Sequence, residues 1–183
     1  KWLLENMEKE LCAFKKRLNH EASLDKTLIY LMILYSDISW DSVQKLSERL
    51  SISKEYKNKL SVFVEKKDRV LTRLSGPIDI SDYEIYNELK ELSQEALFVL
   101  CMISRDDKKD NRIIRYLNYI KNIKTAVTGK DLKNLGLKPG PKFAKILEKV
   151  HEEKINGRIE TYEDELSYVK EIIEKERGEE NDI

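Results

Sequence analysis

Along this chain the apolar residues return at steps of three and four. Leu3, Leu4, Met7, Leu11, Phe14 and Leu18 form one such series, and Leu24, Leu28, Leu31, Met32 and Tyr35 a second. That spacing lines one face of an α-helix. Ser39 suits the N-cap of a short helix buried through Val43, Leu46 and Leu50. Ser53 opens a longer helix through Tyr56, Leu60, Phe63, Val64 and Leu71, which Ser75-Gly76-Pro77 breaks. Ser81 to Glu84 has capping-box spacing, and Ser93 opens a helix through Leu97, Leu100 and Cys101. Residues 105–111, "RDDKKDN", read as a polar loop before a helix running from Asn111 through Ile113, Ile114, Leu117 and Ile120. No segment alternates apolar and polar residues with β-branched enrichment, so no strand is expected.

The last third is also helical but gathers turn residues at one point. "TGKDLKNLGLKPGPKFAKIL", Thr128 to Leu147, holds three glycines, a Pro-Gly-Pro and five lysines. Thr128 and Asp131 fit a capping box with Asp in place of Glu, opening a short helix that buries Leu132 and Leu135. Gly136 suits the left-handed conformation that ends it, Pro139 and Gly140 make a turn, and Pro141 suits the first position of the next helix. That helix buries Phe143, Ile146, Leu147 and Val150 and stops at Asn156-Gly157. Thr161 to Asp164 caps a last helix through Leu166, Val169 and Ile173. The predicted fold is all-α, a multi-helix bundle of about nine or ten short helices with a C-terminal helix-hairpin-helix-like element. Residues 1–124 form a helical body, 125–178 a tail with the Gly/Pro hairpin, and 179–183 a frayed end.

Composition agrees. Of 183 residues, 40% are apolar and 37% charged, while Gly (6) and Pro (3) are scarce, as in a soluble helical protein. The longest apolar run, Leu28 to Tyr35, is too short to cross a membrane, and no signal-peptide pattern opens the chain. A cytoplasmic protein is expected. The chain starts at Lys1, inside a helical pattern and without Met, and reads as a piece of something longer. Cys12 and Cys101 sit among apolar neighbours and read as reduced core thiols. His20 and His151 stand apart from them and from each other, so no metal-ligand spacing is present.

Charge changes the picture. Residues 1–104 carry 16 basic and 17 acidic side chains, net −1. Residues 105–150 carry 13 and 5, net +8, and residues 151–183 carry 5 and 12, net −7. A neutral chain therefore hides a basic segment, which calls for a polyanion or for the acidic helix beside it. In the hairpin, Lys142, Lys145 and Lys149 fall on one stripe of the second helix, Lys138 lies in the turn, and Lys130 and Lys133 lie on the first helix. Gly140 opens the second helix, whose backbone N–H groups and dipole favour an anion. A phosphate backbone suits such a surface. Arg112, Arg115 and Tyr119 share a face of the preceding helix that can hold phosphate and stack a base. A solvated polar face is the alternative for both sets.

These motifs carry a resemblance. "TGKDLKNLGLKPGPKFAKILEKV" followed by "NGRIETYEDEL" resembles the C-terminal region of bacterial tRNA nucleotidyltransferases, the CCA-adding and A-adding enzymes of the poly(A) polymerase family. Their tail pattern recurs at Thr128, Gly129, Asp131, Leu132, Leu135, Gly136, Pro139, Gly140, Pro141, Gly157, Ile159, Thr161 and Glu165. Ala144 stands where many relatives have Gly. Upstream, "LSISKEYKNKL", "LSGPIDISDYEIYNEL" and "LSQEALFVLCMISRDD" are similar to the helical body of the subgroup that carries CBS domains. The resemblance implies a catalytic head and a neck N-terminal to this region, with Mg²⁺ and CTP or ATP bound in the head. This sequence lacks an Asp-x-Asp pair on a strand, a Gly-Gly nucleotide motif and the neck's Glu-Asp-x-x-Arg, so it matches the body and tail alone. No catalytic residue, metal ligand or cofactor is assigned to it, and its implied partners are tRNA, gripped at the acceptor and TΨC arm, and the parent's own head and neck. Two other classes remain open: a helix-hairpin-helix DNA-binding module, which Gly136 to Gly140 and the following helix also resemble, and a helical protein-interaction domain.

Overall fold

The helices begin where short-range chemistry places them. In the computed structural model, which describes residues 2–76 and 80–181 apart from the side chains of 176–181, the Asp25 carboxylate accepts the N–H groups of Thr27 and Leu28. Ser53 accepts from Tyr56 and Ser93 from Ala96. Each cap satisfies donors that the first helical turn cannot pair internally. Among the described residues there are ten α-helices, one 3₁₀ helix and no strand, so the all-α expectation holds. Contacts divide the chain into two compact units, residues 1–80 with 84–121 and residues 81–83 with 122–183. Among the described residues no helix is long and apolar enough to cross a membrane.

The first unit contains α1 (Trp2–Lys16), α2 (Lys26–Tyr35), α3 (Trp40–Arg49), α4 (Lys54–Ser75), most of α5 (Asp82–Leu89), α6 (Gln94–Ser104) and α7 (Asp107–Asn118). Every residue of α6 from Glu95 to Met102 is buried. A helix that is apolar nearly all round belongs inside, and α1, α2, α4 and α7 pack around it. Phe14 of α1 meets Phe98 of α6 edge to face, with ring centroids 5.2 Å apart.

Three expectations change here. Residues 107–111 are helix, because α7 starts at Asp107 behind the N-cap Asp106, which accepts the Lys108 N–H. Asp107 and Asp110 in its first turn complement the helix dipole, so the polar run is a helix start. In α3 the inward residues are Val43 and Ser47, whereas Leu46 and Leu50 are 36% and 62% exposed. This ten-residue helix packs against α4 along one narrow face, and the two leucines lie beside it. Cys101 is buried, but Cys12 is exposed, one position past Leu11 and off the face that Met7, Leu11 and Phe14 bury.

Helix α4 ends at Ser75 with Gly76 as its C-cap, and Pro77, read as part of that break, lies outside the described residues. The second unit contains α8 (Gly129–Asn134), α9 (Pro141–Ile155) and α10 (Tyr162–Asn181). Its core is Val127, Leu132, Ile146, Val150, Val169, Ile172 and Ile173, with Leu135, Leu137, Phe143, Leu147 and Ile159 packed around it. Residues 81–83 belong here too: the Tyr83 N–H donates to Asn156 Oδ1 at 3.1 Å and its hydroxyl to Glu148 at 3.2 Å. Of the frayed end expected at 179–183, the backbone to Asn181 continues α10 as helix, and residues 182–183 lie outside the described residues.

Candidate nucleic-acid interface

The hairpin of the second unit is built from its caps inward. Asp131 Oδ2 accepts from the Thr128 N–H at 2.8 Å and the Thr128 hydroxyl at 2.7 Å, while Thr128 Oγ1 accepts from the Lys130 N–H at 3.3 Å. The capping box read from the sequence is therefore present. Its carboxylate has a third donor, the Tyr162 hydroxyl at 3.1 Å. The Thr128 hydroxyl first, and then the Thr128 N–H, hold Asp131 below its ordinary carboxyl range. The same bond from the other side raises Tyr162.

Gly136 ends α8 at φ +84°. Its N–H donates to the Lys133 carbonyl, and the Leu137 N–H reaches back to the Leu132 carbonyl at 3.1 Å. This paired closure is the Schellman motif, which requires a left-handed residue at that point. Gly157 closes α9 identically at φ +70°, with the Arg158 N–H donating to the Glu153 carbonyl. Gly140 differs. Its backbone is extended, and a Cβ there would meet nothing within 4 Å. It opens α9 with no side-chain cap, and Pro141 follows at the first helical position.

Helix α9 turns Ile146 and Val150 fully inward and half-buries Phe143 and Leu147. Lys142, Lys145 and Lys149 are exposed on its outward side, and Lys138, Lys130 and Lys133 are exposed on the turn and on α8. Six lysines and Gly140 thus share one hairpin. Arg112, Arg115 and Tyr119 lie in the first unit. Arg115 and Tyr119 are exposed, the latter as the C-cap of α7. Arg112 is half-buried and donates from Nη1 to the Leu74 carbonyl at 2.6 Å, near the end of α4. That bond gives Arg112 a structural use the face reading did not contain.

Two features went unread. Glu165 is fully buried, and its Oε2 accepts the N–H groups of Ala126 and Val127 at 2.8 and 2.7 Å. Its Oε1 pairs with the Lys154 ammonium of α9. The only sequence signal was its place in the tail pattern. His151 Nε2 lies 3.1 Å from the Ile123 carbonyl, which makes it a half-buried, hydrogen-bonded histidine. Among the described residues no group of three or more His, Cys, Asp or Glu could hold a metal ion.

No protein-family model matches the chain, and no solved structure matches it. Among curated proteins, an A-adding tRNA nucleotidyltransferase of Geobacter sulfurreducens is 32% identical over 143 residues. The match covers 76% of this chain but spans only 16% of that protein's length.

Proposed function

We propose that this chain, which belongs to the tRNA nucleotidyltransferase family, is the non-catalytic body and tail of such an enzyme and grips tRNA by its backbone. The observation that carries the reading is the hairpin. Its six exposed lysines occupy a scaffold whose caps, apolar residues and left-handed Gly136 are used for folding. A-form RNA offers side chains little sequence to read, so a rigid cationic surface that follows phosphates suits it. In this reading the head and neck lie elsewhere in the parent chain, in the cytoplasm, and CTP or ATP binds there with Mg²⁺. The residues described here do not fit a metal ion, and no chemical step is assigned to them.

The test is a salt titration of binding to tRNA and to duplex DNA. If Lys138, Lys142 and Lys145 each meet one phosphate, changing all three to Ala lowers the slope of log K against log salt by roughly 2 to 3. Preference for tRNA with a reduced slope supports the reading. Equal or tighter binding to DNA favours a helix-hairpin-helix DNA module instead. An unchanged slope returns the lysines to a solvated face and removes the basis of the proposal.

A further inference from the structure

Helix α8 has six residues, too few to hold a direction by itself. Its C-terminus is closed by its own Schellman bonds. Leu132 is wholly buried, Leu135 packs on the same core and Asp131 receives the Tyr162 hydroxyl, so what remains to be fixed is where α8 begins. The two residues before its N-cap are Ala126 and Val127, and both of their N–H groups end on one carboxylate oxygen of Glu165, which projects from α10. The other oxygen meets Lys154 of α9. One buried side chain thus ties the start of α8 to the two long helices. A carboxylate out of water is costly unless donors surround it, and charge-assisted bonds to backbone N–H groups are among the strong ones.

This also explains why "NGRIETYEDEL" accompanies the hairpin although its acidic residues are ill suited to phosphate. Gly157 closes α9, Ile159 packs on the core, and Thr161 caps α10 through its bond from the Asp164 N–H at 3.1 Å. Glu165 then reaches back to the hairpin. We infer that Glu165 is a positioning residue of the RNA surface: from α10 it sets where α8 begins and so keeps Lys130 and Lys133 in register with Lys138, Lys142, Lys145 and Lys149. The inference rests on the tRNA reading above.

Glu165→Gln is the first variant. A glutamine offers one acceptor oxygen to a site with donors on both sides, so its amide must face either the backbone N–H groups or the Lys154 ammonium. Residual dipolar couplings of the 183-residue chain are expected to show α8 reorienting while α9 and α10 keep theirs. Affinity for tRNA is expected to fall about tenfold or more, with the salt slope reduced by about 2, the share of Lys130 and Lys133. The double variant Lys154→Met, Glu165→Gln leaves the carbonyl for Ala126 and Val127 and removes the opposing ammonium, and it is expected to restore both the α8 couplings and the slope. A merely structural role would lower affinity only by the unfolded fraction, with the slope unchanged in the molecules that stay folded. That result, α8 couplings unmoved in Glu165→Gln, or no rescue in a folded double variant, overturns the inference. If the wild-type chain shows no salt-dependent tRNA binding, the tRNA reading fails and the RNA role of Glu165 with it. The couplings still decide separately whether Glu165 sets α8.

Discussion

Asp131 shows how much a single half-buried side chain can hold. It accepts from Thr128 twice and from Tyr162 once, and these bonds keep it below its ordinary carboxyl range. Asp164 is lowered too, chiefly by the Thr161 N–H and then by its hydroxyl. A carboxyl depressed in the folded state lends stability above its unfolded pKa and loses it as pH falls through the folded value. Thermal unfolding of the second unit is therefore expected at falling temperatures as pH drops below the ordinary carboxyl range. Asp131→Asn should flatten that dependence, and a melting series across acid pH checks it: an unaltered pH profile in the variant would show that the cap contributes nothing to folding. The pairing of Thr128 with Asp131 was legible because a capping box spans four consecutive residues. The Tyr162 bond was not, because it joins residues 31 positions apart.

At the scale of the element, α9 separates folding from binding. The spacing placed Phe143, Ile146, Leu147 and Val150 inward alike, but only Ile146 and Val150 are fully buried. Ile146→Ala should cost about 3 kcal/mol through lost burial and a residual cavity. Leu147→Ala should cost less, because that side chain is only partly buried at the edge of the core. Lys145→Ala should stay within about 0.5 kcal/mol. Urea denaturation of the three variants ranks them, and a Leu147→Ala loss equal to that of Ile146→Ala would contradict the burial described. Helix α3 carries the same lesson, since its periodicity was visible but the width of its covered face was not. A repeat gives the angle of each side chain about the helix axis, whereas the neighbour that covers it comes from elsewhere in the chain.

At the scale of the molecule, charge is divided along the chain. The basic residues cluster in 105–150 and the acidic ones in 151–183, and among the described residues no metal-binding group is assembled. Nucleotidyl transfer of the two-metal type needs such a group to stabilise the attacking and leaving oxygens. Incubated with tRNA, Mg²⁺, CTP and ATP, the chain is expected to extend no 3′ end beyond a control without protein. Measurable extension would end the body-and-tail reading.

What the sequence alone determined is local: the all-helical character, the caps at Thr128, Ser53 and Ser93, the glycine stops at Gly136 and Gly157, and the gathering of lysines on one hairpin. Each follows from residues within a turn or two of one another, where spacing, φ preference and donor placement act directly. The tertiary structure decided that Cys12 faces water, that Arg112 is bonded to the carbonyl of Leu74, and that Glu165 is a buried clamp on Ala126 and Val127. Arg112 and Leu74 are 38 positions apart, as are Glu165 and Val127. No local periodicity encodes such pairs, because a buried donor or acceptor is satisfied by whichever group the packing of distant helices brings to it.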